Sequence, residues 1–147
     1  MKENRINALR ELLKEKKKKG EKSLALLIDP EKLDKQPSLD LLKQLSHGLR
    51  IDYFFVGGSL VAAKRLDQCL RRLKEVTQGN VPIVLFPGSV MQISGEADAI
   101  LFLSLISGRN PDLLIGQHVL AAPTLAKSNL EVLPVGYMLV NGGVGTS

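Results

Sequence analysis

Five short apolar runs recur along the chain, and each closes in a cluster of small or polar residues. Ser23 to Ile28 ends in Asp29-Pro30, Tyr53 to Val56 in Gly57-Gly58-Ser59, and Ile83 to Phe86 in Pro87-Gly88-Ser89. Ala99 to Ile106 ends in Ser107-Gly108-Arg109-Asn110, and Val135 to Val140 in Asn141-Gly142-Gly143. The runs are nearly continuous rather than alternating in hydrophobicity. That is the pattern of strands covered on both faces of a parallel sheet, where each connection must cross over through a helix.

The segments between the runs supply such helices. Leu41, Leu42, Leu45 and Leu49 keep helical spacing after Ser38, and Leu66, Leu70 and Leu73 do so after Ser59, which stands as the expected helix start. Asn110-Pro111 reads as an N-cap followed by proline at the first helical position, opening a helix over Leu113, Leu114, Gln117 and Leu120. Between the third and fourth runs, Val90 to Asp98 offers only nine residues, with Gly95 among them. A full crossover helix barely fits there, so the expectation is a degenerate link.

This alternation makes an α/β protein, either a (β/α)8 TIM barrel or an open doubly wound sheet. A complete barrel takes about 250 residues. The 147 residues would supply the first four and a half to five β/α units, read as one partial barrel domain over 1–147. The chain stops at Gly145-Thr146-Ser147, directly after a strand and a glycine-rich turn, and is expected to be an incomplete barrel.

A formal charge of +5 raises the question of nucleic acid, but its distribution argues against it. The first twenty residues hold eight Lys or Arg against three Asp or Glu, and from Glu21 onward the count is twelve against twelve. The charge is thus one terminal run, Lys14 to Lys19, in a basic leader over 1–20, rather than a footprint spread over a groove with interleaved aromatics. The simpler reading is a solvated helix end. The alternative is peripheral contact with an anionic membrane surface, since Ile6, Leu9, Leu12 and Leu13 give the segment an apolar face. Cys69 is the only cysteine, which excludes an internal disulfide and a cysteine-based zinc site and fits a reducing, cytoplasmic compartment. No apolar run reaches the length of a membrane span.

In parallel β/α folds the chemistry sits at the carboxyl ends of the strands, so the polar clusters share one mouth. Asp29 is the one carboxylate that immediately follows an apolar run. A carboxylate there can ligate Mg²⁺ through one oxygen and leave the other positions to water and phosphate oxygens. It can equally be a turn-forming Asp-Pro that merely stops the strand. Gly57 and Gly58 let backbone N–H groups approach a ligand, and Ser59 would add a hydroxyl; the competing reading is a tight turn with a capping serine. Neither GxGxxG nor Walker spacing is present, nor a GxSxG elbow. His47 and His118 fall in expected helices without a partner at ligand spacing, and both read as structural.

The strings LLIDPEK, FVGGSL, LFPGS, ADAILFLSLISGRNPDLLIGQHVLAAP and GYMLVNGG, in this order, resemble the geranylgeranylglyceryl phosphate synthase family from Ser23 to Gly143. The resemblance implies a (β/α)8 barrel that transfers a prenyl group from a prenyl diphosphate to the 3-hydroxyl of sn-glycerol 1-phosphate, with Mg²⁺, in a homo-oligomeric full-length enzyme. It also implies that the magnesium ligands are Asp29 and Ser59, with Gly57 and Gly58 at the substrate; it names no catalytic base. Some bacterial members carry lysine two places before the aspartate, where this chain has Leu27, so the likeness is to the archaeal-type branch. The family's glycerol-phosphate motifs, a YLEAGSG-like strand end and two later glycine-rich turns, have no counterpart here. The chain alone is therefore expected to have little or no activity. Two other readings remain open: a different phosphate-handling barrel enzyme, and a noncatalytic phosphate-binding or assembly fragment.

Overall fold

The computed structural model describes residues 8–33, 42, 50–58, 61–90 and 92–140. All five apolar runs contain strands: β1 (Ala25–Ile28), β2 (Tyr53–Val56), β3 (Ile83–Leu85), β4 (Ala99–Leu105) and β5 (Glu131–Tyr137). They form one sheet in the order β1-β2-β3-β4-β5, every neighbouring pair parallel. A doubly wound sheet reverses its strand order at a switch point, whereas an order that only advances is that of a barrel. The topology therefore decides between the two architectures the alternation allowed.

Alternate residues along each strand face opposite layers. On one side Phe54, Val56, Ile83, Leu85 and Ile100 are fully buried against Leu66, Leu70 and Leu73 of α3 (Ala63–Thr77). These leucines follow the i, i+4, i+7 spacing that keeps one helical face on the sheet. Truncating Leu70 to alanine would cost about 2–5 kcal/mol by transfer and cavity terms. The helix stops where Gln78 takes φ 53° and Gly79 φ 71°, their N–H groups returning to Glu75 O and Lys74 O. Leu42, the described member of the expected first crossover helix, is helical and buried in the same core, as is Leu33 of α2 (Pro30–Leu33).

The other face of the sheet carries Tyr53, Val84, Ala99, Leu101 and Leu133, packed on Leu9 of α1 (Ala8–Lys19). This helix is tied at both ends. At its start the buried Glu131 carboxylate accepts the N–H groups of Leu9 at 2.9 Å and Arg10 at 2.8 Å, filling donors that a helix N-terminus leaves open. Further along, Lys16 Nζ lies 2.6 Å from Asp52 Oδ1, 3.1 Å from Ser23 Oγ and 5.4 Å from the Tyr53 ring centre. The hydrogen bond from Lys16, with a second from the Leu24 N–H, holds the Asp52 carboxyl below its usual range. Asp52 in turn raises the Lys16 ammonium.

Four expectations need correction. The Lys14 to Lys19 run is not solvated throughout, because the Lys16 side chain is only 12% exposed in its ion pair, although Lys14 and Lys17 to Lys19 are exposed. β5 begins at Glu131, four residues before the expected Val135, because Glu131 finds its partners on α1 and Pro134 is tolerated in a strand paired on one side only. Helix α3 begins at Ala63 with Ala62 as its N-cap, so the helix start lies beyond Ser59. The Asn110-Pro111 helix opens as read, with Asn110 Oδ1 accepting the Asp112 N–H, but runs as a π-helical segment over Asp112–Gly116 before α4 (Gln117–Ala126). The wider turn rotates the following face. Leu120 consequently points outward, and Ala121 and Leu125 are the buried residues. The described residues of the link from Val90 to Asp98 contain no helix, in line with the expected degenerate link. Ser59, His47 and Asn141 to Gly143 lie outside the described residues.

Candidate active site at the strand ends

Because all five strands are parallel, their carboxyl ends open on one side, and Asp29, Gly57-Gly58 and Pro87-Gly88-Ser89 follow β1, β2 and β3 there. Asp29 takes the capping role and also keeps side-chain exposure at the mouth. Its backbone carbonyl accepts the N–H groups of Lys32 and Leu33, and its Oδ1 accepts the Glu31 N–H at 3.0 Å, so it caps the short helix α2 with Pro30 at the first helical position. Yet the side chain keeps 34% exposure, and Oδ2 lies 3.5 Å from the exposed Lys32 ammonium, its one ion-pair partner among the described residues. A carboxylate oxygen is thus available at the mouth.

The two glycines are needed for different reasons. A Cβ on Gly57 would lie 1.8 Å from Phe86 O, because Gly57 N–H bonds Ile28 O while β3 comes up on its other side. A Cβ on Gly58 would lie 3.3 Å from Asp29 Oδ1, so Gly58 is the backbone that faces the carboxylate. The structure thus brings Asp29, Gly57 and Gly58 together; Ser59 lies outside the described residues.

A lone carboxylate with a free oxygen suits Mg²⁺, a hard cation that keeps most of its positions for water and phosphate oxygens. Among the described residues no group of three or more His, Cys, Asp or Glu side chains converges as a dedicated metal cage. One carboxylate at the mouth is chemically compatible with a hard cation whose other positions are filled by water or ligand oxygens.

Sequence reading missed the neighbouring cavity. A space of about 240 Å³ opens beside the Pro87-Gly88-Ser89 turn, between that turn, β4 and α4, and is lined mainly by apolar side chains including Phe86, Ile93, Phe102, Leu125 and Tyr137. His118 packs against Phe102 with ring centres 4.1 Å apart and the rings tilted by 57°, which agrees with a packing role, although its buried Nε2 has no partner among the described residues. Sequence reading also missed Gln92 and Gln117, whose side chains hold the link after β3.

The PcrB family model matches residues 15–146. The chain belongs to the PcrB family. It is 51% identical over 133 residues to the geranylgeranylglyceryl phosphate synthase of Chitinophaga pinensis, covering 90% of this chain and 52% of that relative. Among solved structures, the wild-type synthase of Thermoplasma volcanium has a TM-score of 0.71 at 33% identity, covering 83% of this chain and 48% of that one. The (S)-3-O-geranylgeranylglyceryl phosphate synthase of Thermoplasma acidophilum, solved with its substrate sn-glycerol-1-phosphate, has a TM-score of 0.73 at 28% identity and covers 83% and 49%. The fold is therefore that of these synthases, a TIM-barrel family, and this PcrB-family chain spans about half the length of the curated relatives it matches.

Proposed function

We propose that this PcrB-family chain carries the donor half of a prenyltransferase site, binding a geranylgeranyl or similar prenyl diphosphate for transfer to the 3-hydroxyl of sn-glycerol 1-phosphate. The observation that carries this is the adjacency of an oxygen-donor mouth, Asp29 with Gly57 and Gly58, to an apolar cavity beside the next turn. An amphiphile with a charged head and a hydrocarbon tail matches that pairing. Neither a sugar phosphate nor a free phosphate would use the cavity.

In the reaction the allylic carbon–oxygen bond to diphosphate breaks, the acceptor oxygen forms the ether, and the hydroxyl proton passes to the departing diphosphate or to water. Mg²⁺, when bound, would neutralise charge that develops on the departing diphosphate. Asp29 would hold it, with Ser59 as the second protein ligand on the strength of the family likeness. Gly57 and Gly58 would let the diphosphate lie against the backbone, and the apolar lining would orient the tail and exclude water from the allylic carbon. The acceptor's phosphate contacts belong to motifs absent from this chain, so the 147 residues alone are inactive in this reading. The same reading places the enzyme in the cytoplasm, homo-oligomeric at full length, with the basic end of α1 available to an anionic membrane surface.

The deciding experiment is titration of the purified chain with geranylgeranyl diphosphate with and without Mg²⁺, followed by its thermal midpoint. A Mg²⁺-dependent rise that Asp29→Ala removes is the expected result. A cooperative transition whose midpoint ignores both would favour the noncatalytic assembly fragment, and measurable prenyl transfer by the chain alone would refute its inactivity.

A further inference from the structure

Gln92 stands in the helix-free link between β3 and β4 and is only 2% exposed. Its side-chain amide spans the two glycine turns: Nε2 donates to Gly58 O at 2.7 Å, and Oε1 accepts from the Gly88 N–H at 3.0 Å. The link itself is anchored, since the Gln92 N–H donates to Ser89 O and the Val90 N–H donates to Gln117 Oε1 of α4. A primary amide offers a donor and an acceptor at fixed separation in one plane, and does so without a titration. Gln92 therefore sets the distance between the turn after β2 and the turn after β3.

The sheet does not need this bridge for its own pairing. The β2–β3 ladder already continues to the Phe86 N–H on Val56 O, and the core lies below it. What the bridge does hold is the peptide of Gly58, the backbone that faces Asp29 Oδ1. Glycine has the widest choice of backbone conformations, so a turn built on it keeps one shape only where a partner holds it. We propose that Gln92 is a positioning residue of the anion mouth, fixing the Gly57-Gly58 and Pro87-Gly88 turns around Asp29 before the diphosphate arrives. The inference rests on the donor-site reading above. Its consequence is felt in ligand affinity, because a preorganised backbone spares the cost of ordering on binding.

The test uses the 147-residue chain with Mg²⁺ and inorganic diphosphate as the probe, read by calorimetry. Gln92→Met keeps the length and removes both hydrogen bonds, and is expected to weaken binding about tenfold while the protein stays folded. Gln92→Glu keeps the acceptor for Gly88 but sets a carboxylate against Gly58 O. Its deficit relative to wild type is expected to be largest near about pH 8 and to shrink toward about pH 5, as the carboxyl regains a proton to donate. A residue that served stability alone would lower the unfolding midpoint and leave the affinity of the folded protein and its pH profile unmoved. Variants that bind within about twofold of wild type at every pH would overturn the role of Gln92 and leave the donor-site reading intact. Failure of the wild-type chain to bind would instead remove that reading, and this inference with it. Should neither variant fold, the Gln92 side-chain amide of the wild type decides: its protons are expected to exchange slowly already without ligand, and an amide that exchanges freely until ligand binds would refute the proposal.

Discussion

Asp29 combines a capping hydrogen bond on one oxygen with exposure of the other, and the two roles separate under substitution. Asp29→Asn retains an oxygen for the Glu31 N–H and removes the charge. Its unfolding midpoint is expected to stay near wild type, while Mg²⁺-dependent binding of prenyl diphosphate falls by about 100-fold, as one charge is lost beside a hard cation. Equal losses in both measurements would mean that Asp29 only stops the strand. Gly57 behaves oppositely. With Phe86 O 1.8 Å from where a Cβ would sit, Gly57→Ala must push β2 and β3 apart, costing about 3 kcal/mol or more in denaturant unfolding. Asp29 could be read from the sequence because it is the one carboxylate closing an apolar run. Gln92 could not, since its partners are two backbone groups in different loops, and nothing in its own neighbourhood specifies either.

At the scale of elements, α1 shows what local pattern leaves out. Its composition marks a basic helix, yet its place depends on Glu131 at one end and Asp52 at the other, each far along the chain. Glu131→Ala would leave the first turn's N–H groups without acceptors and is expected to lower stability by about 2 kcal/mol, with Glu131→Gln losing less. The Lys16–Asp52 pair gives this docking a pH dependence of defined sign. Asp52 has a lowered folded-state pKa, so its contribution is complete above about 3.9, the unfolded value, and is lost as pH falls through the folded one. Lys16 has a raised folded-state pKa, so its share is complete below about 10.4 and is lost as pH rises through the folded value. Asp52→Asn is expected to flatten both limbs of the stability–pH curve measured by denaturant midpoint; an unchanged acid limb would exclude the pair as its source. The π-helical start of α4 was equally hidden, because the leucine spacing there suits an ordinary helix, and only the packing against β4 selects Ala121 and Leu125 for burial.

For the whole molecule, the advancing parallel order leaves β1 and β5 each paired on one side within this sheet. Leu27 on β1 is 60% exposed, and Val119 and Leu120 on α4 are 65% and 66% exposed. Unpaired strand edges beside apolar surface favour association. The 147-residue chain is therefore expected to self-associate as its concentration rises, and Leu27→Lys to reduce this, as followed by sedimentation velocity. A strictly monomeric wild-type chain up to about 0.1 mM would contradict the expectation.

Local sequence was enough for the presence of five strands, the crossover pattern, the degenerate link after β3, and the placing of Asp29, Gly57 and Gly58 at one mouth. These follow from burial and turn chemistry, whose signals are written within a few neighbouring residues. Periodicity left barrel-type and doubly wound order open and the family-like strings implied the barrel; packing showed the advancing strand order, began β5 at Glu131, placed the apolar cavity beside α4 and joined the two glycine turns through Gln92. Each of these depends on groups far apart in the chain meeting at hydrogen-bond or van der Waals distance. Such meetings are set by how the layers pack, and local periodicity carries no record of them.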